Sequence, residues 1–599
     1  MPAMNAETSP SRRRWRPILI IVALLLTLGA LLALDLWQRG LVWQFAWSQT
    51  GEEDPLGQVR GLMELGANLL RPQPNTAPLT PIQHADSPPY GINVFLQKEV
   101  EEPKIRAMLA MIRDAGFVWL RQEFTWEDLE VDGRGQFTDS RNDLDGDGVP
   151  DTLDAWAKYD RIVDLTEEYG LRLLVRLSNP PSWSRSDPNT TAQAPPDDFQ
   201  DFVNFAAAVA QRYRGRIQHY QIWNEPNIYP EWGEAFADPE AYTDMLCRTH
   251  DALKAIDPDI VVVSAAIAPT ISLDSYYGLQ DVIYLQRMYD AGAAACFDVL
   301  AAQGYGLRSG PTDRRLSLTQ VNYQRHVLYR DLMVANGDAH KPIWLSEAAW
   351  NHVLDAELPP EQITQYDQFG TVTQEQAARY MPLGYERARQ EWPWIGQISY
   401  WFFTRPDPFE AGQAFYYFRM VEPDYSPDKP TFTPLPVYNT MRDYISRTRA
   451  NPILYRGTHQ AQTWEITHGG ENHLEPTLTT GPQFGDAVRT SATRFSAYGT
   501  HVRLLLRVNA GTTIVRVNGE QVAAITGRNP DWQSLTIAHS LLPQTFEVEL
   551  IADDAGYALD SITVLDRTWA QIGPLIIVAA GVSLLLLGGW IGGWLSRRG

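Results

Sequence analysis

From residue 90 to residue 446 the chain alternates, eight times over, between a short apolar run and a longer amphipathic one. The short runs are rich in β-branched and aromatic residues and occupy 90–95, 117–124, 171–177, 217–223, 260–265, 299–303, 342–346 and 397–403. Helical patterns such as IRAMLAMIRDAG, YDRIVDLTEEYG and FQDFVNFAAAVAQRYRG separate them. Eight strand–helix units over roughly 360 residues suit a (β/α)8 TIM barrel with loop insertions. An open doubly wound sheet would bring a glycine-rich phosphate turn after an early strand. The only similar string, GYGLRSG at 304–310, has the wrong spacing and follows the sixth run.

In such a barrel, functional groups project from the C-terminal ends of strands. Two of those ends carry a glutamate after similar apolar lead-ins: IWNEP on the fourth, with Glu225, and PIWLSEAAW on the seventh, with Glu347. Strands four and seven face each other across the barrel mouth, so both carboxylates can reach one cleft. Cleavage of a glycosidic bond needs such a pair: one carboxyl protonates the leaving oxygen while the other attacks the sugar or activates water. A strand-end glutamate on its own is more often solvated or caps a helix, and it is the pair in an eightfold frame that carries the reading.

The pattern resembles the clan A glycoside hydrolases, retaining enzymes on (β/α)8 barrels, and within them the β-xylosidase-like and cellulase-like branches. The resemblance spans about residues 90–448. It implies that Glu225 is the general acid/base, that Glu347 is the nucleophile and that Asn224 binds the sugar 2-hydroxyl. It further implies that Arg121 and Tyr305 steady the nucleophile and that Trp401 floors the site. By the same resemblance, Asn179 and Trp183 in SNPPSW line the cleft. Gln303 departs from the pattern, since many relatives place a histidine there. A catalytically silent carbohydrate-binding surface protein on the same fold, or a transglycosylase, are the rival functions. No Gly-x-Ser-x-Gly elbow and no His-Glu-x-x-His helix occurs.

After the second strand comes DLDGDGVPDTLD. Asp143, Asp145, Asp147, Asp151 and Asp154 follow calcium-loop spacing, with Gly148 at the sharp turn. Five crowded carboxylates repel one another unless a divalent cation offsets them. A structural calcium is therefore expected, as in thrombospondin or dockerin loops, with a solvated acidic loop as the alternative; catalysis itself needs no cofactor.

Residues 455–567 change character. Runs such as VRLLLRV, TTIVRVNG and TFEVELIAD alternate at period two and predict an antiparallel β-sandwich, carbohydrate-binding or merely a spacer. Two apolar segments flank everything else. Residues 17–37, after a basic tail at 1–16, and residues 569–595, before a cytoplasmic tail at 596–599, are expected to be transmembrane helices. Arginines outside both place both termini in the cytoplasm and the catalytic domain on the extracytoplasmic side of the cell membrane. Removal of the first segment as a signal peptide is the alternative. Residues 38–89 read as a linker, proline-rich at 71–89. A net charge of −22 disfavours nucleic acid, whereas 20 Trp and 26 Tyr suit a carbohydrate substrate. Cys247 and Cys296 are expected to be buried thiols, with a single bridge as the alternative.

Overall fold

The computed structural model describes residues 12–573 except 188–189, 425, 427–429, 471, 477–482, 528–530 and 554, together with 579 and 582–583. The chain divides into two compact units, residues up to 73 with 309–316, and the remainder.

The first unit contains α1 (Arg12–Gln38), α2 (Leu41–Thr50) and α3 (Pro55–Asn68). Asp54 caps α3 by accepting from the Gly57 backbone N–H at 2.7 Å. The returning segment 309–316 brings in Arg315, which is buried and donates to Asp313 Oδ1 at 2.9 Å and to Glu52 Oε1 at 2.6 Å. Leu24, Leu25, Leu26, Leu28 and Leu31 on α1 are all exposed. Among the described residues no single helix is long and apolar enough to cross a membrane. The pair Val22–Gln38 and Leu41–Thr50, bent by 62°, meets that requirement only jointly. Most of the apolar 569–595 segment, including Trp590 and Trp594, lies outside the described residues.

The second unit holds eight parallel strands: β1 (Tyr90–Val94), β2 (Trp119–Thr125), β3 (Arg172–Ser178), β4 (His219–Ile222), β5 (Val261–Val263), β6 (Leu300–Gln303), β7 (Ile343–Ala348) and β8 (Ile395–Tyr400). Each pairs with its chain neighbour, and β8 returns to β1 through Tyr90–Ile398 and Gly91–Ser399. Parallel bridges Val263–Val299 and Ile267–Ala302 join β5 to the β6 region and close the ring. A helix follows every strand: α4 (Glu102–Asp114), α5 (Ala157–Glu168), α6 (Phe199–Arg212), α7 (Pro239–Ile256), α8 (Asp281–Asp290), α9 (His326–Ala335), α10 (Gln374–Glu391) and α11 (Pro436–Ala450). Period-two alternation along the strands sets what fills the ring. Trp119, Leu174, Val261, Val299 and Trp344 form an apolar plug near its N-terminal end. Polar side chains take over toward the C-terminal end, and this division positions the site.

Residues 75–89 are not the free tether that their prolines suggest. Trp119 and Trp344 donate their indole N–H groups to the Pro88 and His84 carbonyls at 3.2 Å each, and the Asn75 N–H reaches Asp331 Oδ1 at 2.7 Å. The cysteines also differ from expectation, because Cys247 and Cys296 are disulfide-bonded. Each lies among apolar neighbours in sequence, which reads as a buried thiol. Their pairing comes from α7 packing against α8 and the turn Ala293–Ala295 that follows it, a proximity visible only in three dimensions.

The C-terminal part is a nine-stranded antiparallel sheet: β9 (Gly457–Gln460), β10 (Thr467–Gly469), β11 (His473–Pro476), β12 (Asp486–Thr490), β13 (Ala492–Arg507), β14 (Thr512–Val517), β15 (Glu520–Thr526), β16 (Gln533–Ala552) and β17 (Tyr557–Leu565). The long strands β13 and β16 pair along most of their length, with register shifts that let the sheet bend around a core including Val502, Leu504, Phe546 and Leu550. All nine residues of β17 are buried, so ALDSITV is covered on both faces.

Candidate active site

Glu347 stands at the C-terminal end of β7 and is buried. Its Oε1 accepts from Arg121 Nη1 at 2.8 Å, and its Oε2 accepts from the Tyr305 hydroxyl at 2.6 Å. Both carboxylate oxygens are thus fixed by donors from β2 and from the loop after β6. Arg121 is a hub. Its Nη1 also reaches Asn93 Oδ1, its Nε reaches Gln221 Oε1 and its Nη2 reaches Asn224 Oδ1, each at 2.8 Å. One guanidinium therefore ties β1, β2, β4 and β7 together. Burial lowers the Arg121 pKa and the Glu347 charge opposes that shift.

Glu225 lies just past β4. The strand ends in a sharp turn, with Trp223 at φ 75° and Glu225 at φ 43°, and the Glu225 N–H donates to the Ala266 carbonyl at 2.9 Å. Both residues sit in the left-handed region, which side chains adopt at some cost. Burial pushes the Glu225 carboxyl well above its ordinary value, and the charges of Glu347 and Glu231 push the same way.

Around this core lie residues that sequence reasoning passed over. Glu123 shares the inward face of β2 with Arg121, at period two. It pairs with Arg176 of β3 and accepts from Ser178 Oγ at 2.8 Å. Glu231 lies six residues past Glu225. Its carbonyl accepts the Trp223 indole N–H at 2.7 Å. Burial raises the Glu231 carboxyl to about 7 against the pull of Arg176. Four carboxyl groups (Glu123, Glu225, Glu231, Glu347) face two guanidiniums (Arg121, Arg176). Full ionisation would leave an uncompensated negative surplus in a low-dielectric cleft, and the two glutamates without an arginine bond, Glu225 and Glu231, are the ones whose carboxyls are pushed upward. The available signal was a charged residue in mid-strand, at Arg176 and Glu123.

The other expected residues separate into two groups. Trp401 follows β8; its N–H donates to the Ala348 carbonyl at 3.2 Å and its ring packs edge-on against Phe95 at 5.6 Å, beside the Glu347 strand end. Asn179 and Trp183 belong to the loop after β3. The Asn179 carbonyl accepts from the Glu127 N–H at 2.9 Å, and the Trp183 indole donates to the Glu130 carbonyl at 2.7 Å with its ring edge-on to Trp126. These two residues brace the loop after β2, and among the described residues neither is hydrogen-bonded to Glu225 or Glu347.

In the acidic loop, the carboxyl oxygens of Asp143, Asp145 and Asp151 lie within 4.8 Å of one another, a spacing that suits one divalent cation. Asp147 and Asp154 stand apart from that trio and accept from the backbone N–H groups of Val149 at 2.8 Å and Trp156 at 3.0 Å. The structure brings together three of the five expected ligands.

Residues 84–278 match the family model described as Cellulase (glycosyl hydrolase family 5). The chain carries a glycoside hydrolase domain. The match includes Arg121 and Asn224-Glu225, and Tyr305 and Glu347 lie beyond it. Solved structures similar to the chain include a family 39 glycoside hydrolase from the gut symbiont Bacteroides cellulosilyticus WH2, at 16% identity over 79% of this chain and 83% of that one, with a TM-score of 0.44. A monomeric β-xylosidase from Caulobacter crescentus CB15 is 14% identical over 79% and 97% of the two chains, with a TM-score of 0.40. A family 30 endoxylanase from Clostridium papyrosolvens C71 is 13% identical over 79% and 97%, with a TM-score of 0.37. Among curated proteins, none matches the sequence significantly.

Proposed function

We propose that this glycoside hydrolase is a retaining β-glycosidase that works through a covalent glycosyl-enzyme, anchored in the cell membrane with its catalytic domain outside. The observation that carries the reading is the unequal treatment of the two glutamates. Glu347 receives two short hydrogen bonds, one from a guanidinium and one from a phenol, as suits an ionised nucleophile held in one orientation. Glu225 has no arginine bond and its carboxyl is pushed upward, as suits a proton donor.

In the first step Glu347 attacks the anomeric carbon as Glu225 gives its proton to the departing oxygen. Glycosylation removes the negative charge of Glu347, so the pKa of Glu225 falls and it accepts a proton from the incoming water in the second step. Asn224, oriented by Arg121, donates to the sugar 2-hydroxyl. Trp401 supplies an apolar floor, and Asn179 and Trp183 shape the far wall of the cleft.

The Cys247–Cys296 disulfide supports an extracytoplasmic location, because such bonds persist in oxidising compartments. The exposed leucines of α1 support an anchor at 17–37, and the apolar 569–595 segment is proposed as the second. Asp143, Asp145 and Asp151 are proposed to hold a structural calcium that orders the loop after β2. The test of the mechanism is the anomeric configuration of the first product, followed by NMR during hydrolysis of a β-glycoside. Release of the β-anomer is expected, and initial release of the α-anomer would refute the covalent route.

A further inference from the structure

We propose that the catalytic cleft continues into an aromatic platform, built by Tyr229, Tyr276 and Tyr277, that binds a saccharide leaving group. This inference rests on the hydrolase reading of Glu225 and Glu347 and adds what lies on the far side of the cleaved bond.

The platform begins four residues beyond Glu225. Asn227, fully buried, clamps the loop that leaves β5: its Nδ2 donates to the Ala268 carbonyl and its Oδ1 accepts the Ala268 N–H, both at 2.9 Å. Its own carbonyl accepts from the Leu279 N–H at 2.9 Å. Ile228 bridges to Gly278, and any side chain at Gly278 would meet the Asn227 carbonyl at 2.9 Å. The hairpin formed by Asp274–Ser275 and Gly278–Leu279 is therefore held close against the strand end that carries Glu225.

At the hairpin tip stand Tyr276 and Tyr277. The Tyr276 ring lies 5.1 Å from that of Tyr229 at 34°, and the Tyr277 ring lies 5.4 Å from Tyr276 at 83°. Phe236 adds an edge at 6.4 Å. These rings contact one another, yet Tyr277 is 72% exposed, Tyr276 39%, Tyr229 37% and Phe236 61%. Packing of the hairpin leaves much of these side chains in water, Tyr277 most of all.

The side of the cleft follows from the chemistry. Glu225 delivers its proton to the departing oxygen, so a surface continuous with the Glu225 turn receives whatever departs. Tyrosine rings present an apolar face and a hydroxyl together, which matches the C–H face and hydroxyl rim of a pyranose. The structure therefore assigns to this chain a substrate whose leaving group is itself one or more sugar units.

The test compares substrates that differ only in the leaving group, on the full chain in detergent. A β-glycosyl fluoride departs as a single atom and cannot reach the platform, whereas a β-linked tetrasaccharide of the same sugar can. Xylosyl, glucosyl and mannosyl fluorides, paired with xylotetraose, cellotetraose and mannotetraose, cover the candidates. Tyr277→Ala and Tyr276→Ala are expected to raise KM for the tetrasaccharide about ten-fold and KM for the fluoride less than three-fold. Tyr277→Trp, which keeps a ring face, is expected to stay within about three-fold of wild type on both. Equal changes on the two substrates, no change on the tetrasaccharide, or the same loss in Tyr277→Trp as in Tyr277→Ala would overturn the proposal. Wild-type silence on every fluoride would refute the hydrolase reading instead. Calorimetric titration of the three tetrasaccharides into wild type and Tyr277→Ala then decides the platform on its own: one must bind wild type and weaken in the variant, and no binding to wild type overturns it.

Discussion

Replacing Glu231 by glutamine removes one negative charge from beside Glu225 while keeping the size and shape of the side chain. With its pKa raised to about 7, Glu231 is half ionised near pH 7 and mostly ionised above it. Its charge disfavours a second charge on Glu225 and so raises the Glu225 pKa. A unit charge at a separation on the order of 8 Å, with an effective dielectric of about 20, is worth about 2 kcal/mol, equivalent to about 1.5 pH units. Glu231 acts more weakly on Glu225 than Glu347 does, and Arg176 offsets part of its charge, so about one pH unit is expected. The sign follows from the mechanism. The first step needs protonated Glu225, activity falls as pH rises through its pKa, and Glu231→Gln lowers that pKa. The alkaline limb of kcat/KM on a substrate with a poor leaving group should therefore move to lower pH by about one unit, while Glu231→Asp leaves it near the wild-type position. An unmoved limb in Glu231→Gln, a limb moved upward, or an equal shift in Glu231→Asp would refute the electrostatic reasoning.

Two further outcomes follow from other parts of the molecule. The Cys247–Cys296 bond closes a 49-residue loop, and restricting the unfolded chain to that extent is worth about 4 kcal/mol in the chain-entropy account. Cys247→Ser/Cys296→Ser should unfold at markedly lower denaturant concentration with unchanged kcat, and an unchanged midpoint would show the bond to be dispensable. Calcium should protect the loop at 143–154 from proteolysis in wild type and fail to do so in Asp143→Asn/Asp151→Asn; equal cleavage with and without calcium in wild type would remove the proposed ion.

The barrel was legible because its eight strands are short, dense in β-branched and aromatic residues, and evenly punctuated. Each expected strand lies within a few residues of an observed one, and Glu225 and Glu347 stand at the strand ends that the alternation assigns them. Arg121 and Tyr305 were reached by resemblance, and the hydrogen bonds to Glu347 give that resemblance a geometry. What stayed hidden depends on distance in space. Glu123 and Arg176 are mid-strand charges whose partners sit on neighbouring strands. Glu231 opens a short extended segment, Glu231–Glu234, with no local signature. Cys247 and Cys296 find each other only because consecutive barrel helices pack side by side. Residues 75–89 carry the composition of a tether, yet their carbonyls satisfy the indole N–H groups of Trp119 and Trp344, which composition does not reveal. In the acidic loop, spacing along the chain does not show which carboxyls converge, and those of Asp143, Asp145 and Asp151 come within 4.8 Å of one another.

The division of labour between Glu347 and Glu225 is tested most directly by trapping the glycosylated enzyme. A panel of 2-deoxy-2-fluoro-β-glycosides with good leaving groups should inactivate the protein with a one-to-one mass increase, and peptide mapping should find the sugar on Glu347. A label on Glu225, Glu231 or any other residue, or turnover without any trapped intermediate across the panel, would contradict the assignment.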